Sequence, residues 1–164
     1  MMEQLKNDPV FDALADCPAC VLDYCLFKSD APYCGEASHR EALGCAMRAV
    51  SEDGEEPLWT YDLSKASAVR LDARAFLSPR EDGGALSYRR AFVSPPHGGC
   101  TEAMFRRVNR ALFPHGTEHL IVLAWTTDWS DYFDEGHEWW GAGCWTVYDA
   151  LAERCAVILA SATD

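Results

Sequence analysis

The chain has no apolar run long enough to cross a membrane, which takes about 20 residues. Its longest apolar segments, Leu120–Trp125 and Cys155–Ala160, have only the length of a strand. The first residues, MMEQLKNDPVFDALAD, also lack the apolar stretch of a signal peptide. We therefore expect a cytoplasmic protein with no membrane association.

Basic residues are few. The 164 residues include 14 lysines and arginines against 26 acids, for a net charge of −12. Such a chain repels the phosphates of nucleic acids, so general DNA or RNA binding is not expected. Eight of the bases lie in residues 70–110, which carry only four acids. The acidic remainder of the chain would suit a basic protein partner.

Several catalytic motifs are missing. No G-x-S-x-G occurs, and neither Gly83-Gly84 nor Gly98-Gly99 has the lysine and spacing of a phosphate-binding loop. His137-Glu138 lacks the second histidine of an H-E-x-x-H zinc hydrolase. The sequence assigns no catalytic residue, and it predicts neither a cofactor nor a metal.

Cysteine, by contrast, is abundant, with eight residues. Cys17 and Cys20 form a C-x-x-C pair that could be redox-active, and Cys25 and Cys34 could join them as zinc ligands. However, the predicted helix precedes the pair rather than following it, and no second close pair is present. We expect eight reduced thiols, most of them buried as small apolar side chains, and no zinc.

Three helices are predicted from their start signals. Asp8-Pro9 begins the first, Ser38 with Glu41 forms a capping box for the second, and Thr101 caps the third. The predicted buried residues of the second and third helices recur at helical spacing; they are Ala42, Leu43, Ala46, Met47 and Val50, and Met104, Phe105, Val108 and Leu112.

Between the helices, alternating or continuous apolar runs predict strands. The predicted strands are Cys20–Phe27, Leu58–Leu63, Ala68–Phe76 (ambiguous with a short helix), Tyr88–Val93, His119–Trp125, Cys144–Tyr148 and Cys155–Ser161. The last two form a hairpin, and both faces of the final strand are apolar, which favours a central position. The fold class is α+β. We expect one domain, 1–164, with a mostly antiparallel sheet of about five to seven strands and three helices.

The most unusual stretch is Trp125–Asp149, which holds five of the six tryptophans. Five acids, Asp128, Asp131, Asp134, Glu135 and Glu138, also lie within eleven residues of it. Trp125 and Trp145 lie in apolar strands and are expected in the core. The tryptophans set among charges are expected at a surface or a cleft. The predicted binding surface comprises Trp129, Asp131, Asp134, Glu135, His137, Glu138, Trp139 and Trp140.

Two functions fit this stretch. The first is a binding protein, of the kind that neutralises a toxin as an immunity protein does, whose acidic and tryptophan-rich surface meets a basic partner. The second is a small hydrolase or ligand-binding enzyme with its cleft at residues 125–149. The first hypothesis is preferred, because no second catalytic feature accompanies the acids.

The run from Asp128 to Gly141, DWSDYFDEGHEWWG, and the ending ASATD resemble a small family of bacterial proteins. The resemblance covers mainly residues 88–164. It implies a compact bacterial domain, and it carries no reaction, ligand or catalytic residue to this chain.

Overall fold

One antiparallel sheet organises the molecule. The structure is a computed structural model that describes residues 2–51, 59–78, 86–95 and 99–162, apart from the side chains of Trp139 and Ala162. Its strands are β1 (Met2–Gln4), β2 (Leu22–Ser29), β3 (Ala68–Leu71), β4 (Leu120–Trp125), β5 (Gly141–Asp149) and β6 (Arg154–Ala162). Their order is β1-β2-β6-β5-β4-β3, and each pairing is antiparallel.

The described residues form six helices, which pack around the sheet: α1 (Pro9–Ala15), α2 (Glu36–Ser51), α3 (Ala73–Leu77), α4 (Tyr88–Val93), α5 (Glu102–Leu112) and α6 (Asp134–Trp139). Short 3₁₀ turns cover Leu63–Lys65 and Asp131–Phe133. The predicted α+β class is confirmed. The three predicted helices are the three longest of these. The segment Ala68–Phe76, ambiguous between a strand and a short helix, forms both, as β3 and α3. Helices α4 and α6 are not among the predicted helices. None of the helices formed by the described residues is long and apolar enough to cross a membrane.

Two of the three predicted caps are confirmed. The Asp8 side chain accepts a hydrogen bond from the Val10 N–H, and the Thr101 side chain accepts one from the Met104 N–H. The capping box predicted at Ser38 is wrong, because the second helix begins at Glu36, three residues before the start that a cap at Ser38 implies. Ser38 therefore lies in its first turn, and its hydroxyl accepts from the Cys34 N–H at 2.8 Å.

Helices cover both faces of the sheet, and the alternating side chains of β6 contribute to a core on each face. Ala156, Ile158 and Ala160 pack into a core with α1, α3, α4 and α5, which we call the α5 side. The alternate residues Val157 and Leu159 pack into a second core with α2, the α2 side. The central position predicted for this strand is confirmed, since β6 pairs with both β2 and β5.

The predicted helix stripes form these two cores. Seven of the nine predicted residues are buried, with Leu43 at 0% and Phe105 at 3% exposure, while Val50 and Met104 are half-buried at the edges. Removing a side chain of this size from water contributes about 1.5–3 kcal/mol. Trp125 and Trp145 are buried as predicted, and the Trp145 ring lies directly on the backbone of Gly143, where a Cβ would collide with it.

Two predicted strands are wrong. Tyr88–Val93 is the helix α4, because the Ser87 side chain caps it by accepting from the Arg90 N–H and because Tyr88, Ala91 and Phe92 then share one buried face. Of the predicted strand Leu58–Leu63, Leu58 lies outside the described residues, and the rest contributes only an isolated bridge between Tyr61 and Ser130.

The expectation of eight reduced cysteines is also wrong. Cys17 and Cys100 form a disulfide with their Cα atoms 6.3 Å apart, joining the end of α1 to the residue before the cap of α5. The other six cysteines are free, as expected, and Cys25, Cys144 and Cys155 are buried. Burial raises the pKa of Cys25 and of Cys155 to about 12, so both remain thiols at neutral pH.

Candidate functional site

The segment that holds the five acids, residues 128–138, follows β4. Hydrogen bonds join its first residues to residues 60–62. The Asp62 N–H donates to the Trp129 carbonyl at 2.8 Å, and the Ser130 hydroxyl donates to the Thr60 carbonyl at 2.8 Å. The Thr60 N–H donates in turn to Asp131 Oδ1, also at 2.8 Å. These hydrogen bonds fix the backbone of the residues that precede the remaining acids.

Three buried aromatic side chains anchor the same segment on the α2 side of the sheet. Trp129, Tyr132 and Phe133 are buried in the α2-side core, and the Trp129 ring meets Phe133 edge-on with centroids 5.2 Å apart. The Tyr132 hydroxyl donates to the Asp23 carboxylate. Burial, with the neighbouring Asp23 charge, raises the pKa of Tyr132 well above its usual value, so the hydroxyl keeps the proton it donates.

The expectation that Trp129 is exposed is wrong, since its side chain is 2% exposed. Its indole N–H donates to the Thr126 carbonyl, so the ring is buried without leaving a polar atom unpaired. Trp140 is half-buried against the α5-side core. The side chain of Trp139 lies outside the described residues. The described tryptophans of this segment therefore act mainly as anchors.

The acids, in contrast, are all exposed. We call the side chains of Asp128, Asp131, Asp134, Glu135 and Glu138 the acidic surface. Within the described parts of the chain, none of them forms an ion pair. The arginines of α5 do not neutralise them: Arg107 instead pairs with Asp16 at 2.6 Å. The acidic surface is thus a concentration of negative charge that no ion pair among the described residues compensates.

Helix α6 carries three of these acids and docks closely on the sheet. The Gly136 N–H donates to the Ser161 hydroxyl at 3.1 Å, and a Cβ at Gly136 would collide with the Gly141 carbonyl oxygen. His137 is exposed, and its Nε2 lies 2.6 Å from the Thr127 hydroxyl. Because Gly136 has no side chain, α6 can pack closely on the sheet, and this packing fixes the position of the short helix.

Three residues of the acidic surface line an open hollow of about 320 Å³. Its charged lining residues are Asp62, Lys65, Asp128, Asp131 and Asp134. Asp62 binds the N–H and the hydroxyl of Ser64, and these contacts hold its pKa below the usual range. No three histidine, cysteine or acidic side chains of the described residues are grouped to hold a metal ion.

A buried polar chain that the sequence did not indicate lies on the α2 side. The Trp125 indole N–H donates to Thr146 Oγ1 at 2.8 Å, and this oxygen lies 2.7 Å from His39 Nδ1. His39 Nε2 lies 2.9 Å from the hydroxyl of Tyr33, which stacks on Tyr148 at the surface. Because an indole can only donate, the threonine hydroxyl is free to donate to His39, and the neutral ring then donates to Tyr33.

His39 is fully buried. Burial lowers its pKa to about 4. The imidazole is therefore neutral at pH 7 and serves as a hydrogen-bonding link. No sequence pattern signalled this role, because the two partners of the histidine are distant in the chain from each other: Tyr33 lies in a loop and Thr146 in β5.

A search of protein-family models found none that matches the chain. Curated proteins likewise include no significant match.

Proposed function

We propose that this protein is a binding protein whose acidic surface meets a basic protein partner, in the manner of an immunity protein that neutralises its toxin. The observation that carries the proposal is the set of five exposed acids, none of which forms an ion pair with a described residue, on a backbone held by buried aromatic side chains. A charged patch on a rigid support loses little freedom when it binds.

Electrostatics explains why such a surface favours a partner. Like charges at helical spacing cost a few tenths of a kcal/mol per pair. A basic partner relieves this repulsion and gains attraction from the whole negative field, which accelerates association more than it strengthens the final complex. With Trp129 buried, charge rather than aromatic contact supplies most of the recognition.

Ligand-binding or hydrolytic activity at the adjoining hollow is the less favoured alternative. Two of its acids already have structural partners, since Asp131 holds the Thr60 N–H and Asp62 holds Ser64. His137 turns to Thr127 and does not line the hollow. A catalytic pair of carboxylates would have to be drawn from the remaining lining residues.

We also propose that the chain belongs with the bacterial family that shares its DWSDYFDEGHEWWG run. The resemblance of this run and of the ASATD ending supports this proposal. The two segments meet in the structure, where the Gly136 N–H donates to the Ser161 hydroxyl.

The cytoplasm is the proposed location, and the six free cysteines support it. A disulfide such as Cys17–Cys100 is uncommon in that compartment. Alkylation of the free thiols of the protein in intact cells, which shows which cysteines are reduced there, therefore tests the location.

The experiment for the main proposal is affinity capture with three forms of the protein. The first is the wild type. The second neutralises the acidic surface at positions without structural hydrogen bonds, through Asp128→Asn, Asp134→Asn, Glu135→Gln and Glu138→Gln. The third makes the same charge change elsewhere, at the exposed acids Glu3→Gln, Asp12→Asn, Glu41→Gln and Glu118→Gln.

A basic protein retained by the wild type and by the third form, and lost by the second, is the expected result. Equal retention by all three forms would contradict the proposal. If both variants lose the basic protein equally, binding depends only on the overall charge, and this result would also contradict the proposal.

A further inference from the structure

A groove on the α5 side, across the sheet from the acidic surface, combines an apolar floor with arginines. It has a volume of about 330 Å³ and lies between α5, the end of α3 and the chain that follows α5. Leu77, Phe105 and Phe113 supply apolar surface, and Arg89, Arg106 and Arg110 lie around it. We call it the arginine groove. Its size is within the range of small-molecule sites.

The floor is fixed before anything binds. Phe105 and Phe113 are 3% and 5% exposed, so most of each ring is held in the core. Asn109 lies between them on α5; its Oδ1 accepts from the Tyr88 hydroxyl at 2.8 Å and its Nδ2 donates to the Phe105 carbonyl at 2.8 Å. A preformed floor lowers the entropic cost of binding.

The charge on the groove is only partly compensated. Glu102, at one end, pairs with Arg89. Arg106 and Arg110 are exposed and have no ion pair among the described residues. They are four residues apart on one helix, where like charges repel. In a chain with nearly twice as many acids as bases, two adjacent cations that form no ion pair with a described residue are a local exception.

We propose that the arginine groove binds a small organic anion that joins an aromatic or aliphatic body to one carboxylate, sulfonate or phosphate group. The apolar body lies against Leu77 and the accessible edges of Phe105 and Phe113, and the anionic group meets Arg106 and Arg110. Guanidinium groups suit this role because they stay charged and present several N–H donors in one plane. This site is independent of the acidic surface and of any protein partner bound there.

Anilinonaphthalene sulfonate is a suitable probe, since its fluorescence reports transfer from water to an apolar site. The uncharged phenylnaphthylamine has a similar ring system and tests whether the anion matters. The variant is Arg106→Gln with Arg110→Gln. The control is Arg107→Gln, which removes a charge from the same helix at a residue outside the groove whose pairing with Asp16 is exposed. Thermal unfolding of each form verifies the fold.

We expect saturable one-to-one binding of the sulfonate to the wild type. The double variant should weaken it at least about tenfold, because charge-assisted contacts are lost. The control should bind as the wild type does, and the uncharged probe should bind weakly to all forms. Decanoate should displace the sulfonate, whereas decanol should not.

Three results would overturn the proposal. The first is the absence of saturable binding. The second is unchanged affinity in the folded double variant, or an equal loss in the Arg107 control, either of which places the probe elsewhere. The third is equal affinity for the charged and uncharged probes, which would mean that the arginines only shield the floor with their apolar stems.

Discussion

The backbone N–H of Gly136 donates a hydrogen bond to the hydroxyl of Ser161 over 3.1 Å. This contact places helix α6, with three of the exposed acids, against the last strand of the sheet. Three acids of the acidic surface are therefore attached to the central strand β6, and the position of α6 depends on a residue without a side chain.

Gly136→Ala should lower the free energy of unfolding by about 1–3 kcal/mol, because the new methyl group collides with the Gly141 carbonyl and lies 2.8 Å from the Ser161 hydroxyl. Gly44→Ala is the matched control, since its Cβ would meet only a flexible Leu63 methyl at 3.3 Å, within α2 where alanine is favoured. Urea unfolding measures both. Equal effects would contradict the tight docking of α6.

The core assignment predicts that Leu43→Ala and Phe105→Ala each cost about 2–5 kcal/mol, since both side chains are buried and would leave cavities on opposite sides of the sheet. Val50→Ala, at a half-buried position of α2, should cost less. Chemical denaturation gives the three values. Neutral results for both large residues would mean that the two cores are wrongly placed.

Helix positions were predictable because their signals are local. Asp8 and Thr101 cap their helices within three residues, and the apolar spacing of α2 needs no knowledge of the rest of the chain. In α4 the same kind of signal was present in Ser87, but the alternation of a six-residue run resembled a strand. Short elements give too few residues to distinguish the two periods.

The site was less predictable because its deciding contacts are not local. Charges beside Trp129 indicated exposure, yet its indole turns inward to the Thr126 carbonyl and the Phe133 ring. The disulfide partners, Cys17 and Cys100, are 83 residues apart. Their approach depends on how α1 packs on α5, which spacing does not reveal.

Non-reduced, denatured protein should titrate six thiols, and reduced protein eight, because one disulfide is present. Replacing Cys17 and Cys100 by serine should lower the free energy of unfolding by about 2–5 kcal/mol. Cys34→Ser, at an exposed free thiol, is the control and should have little effect. Eight thiols in the non-reduced sample, measured without prior exposure to reductant, would contradict the bond.

His39 should make stability depend on pH. Its folded pKa is about 4, below the ordinary value of 6.5, so the unfolded state takes up the proton first as the pH falls. The stability it contributes is complete above pH 6.5 and is lost between there and about 4, by about 3 kcal/mol.

Denaturant unfolding at pH 7 and pH 4.5 tests this for the wild type, for His39→Gln and for His137→Gln as an exposed control. The His39 variant should be less stable at pH 7 but lose less on acidification. If its stability falls with pH as steeply as that of the wild type, the buried neutral histidine is wrongly assigned.

The most direct test of the central claim is the association rate of the captured partner as a function of ionic strength. Stopped-flow mixing should show a rate that falls steeply with salt for the wild type and for the form altered at Glu3, Asp12, Glu41 and Glu118. The form neutralised at Asp128, Asp134, Glu135 and Glu138 should associate more slowly and with a weaker salt dependence. A rate that responds equally to salt in all three forms would contradict recognition through the acidic surface.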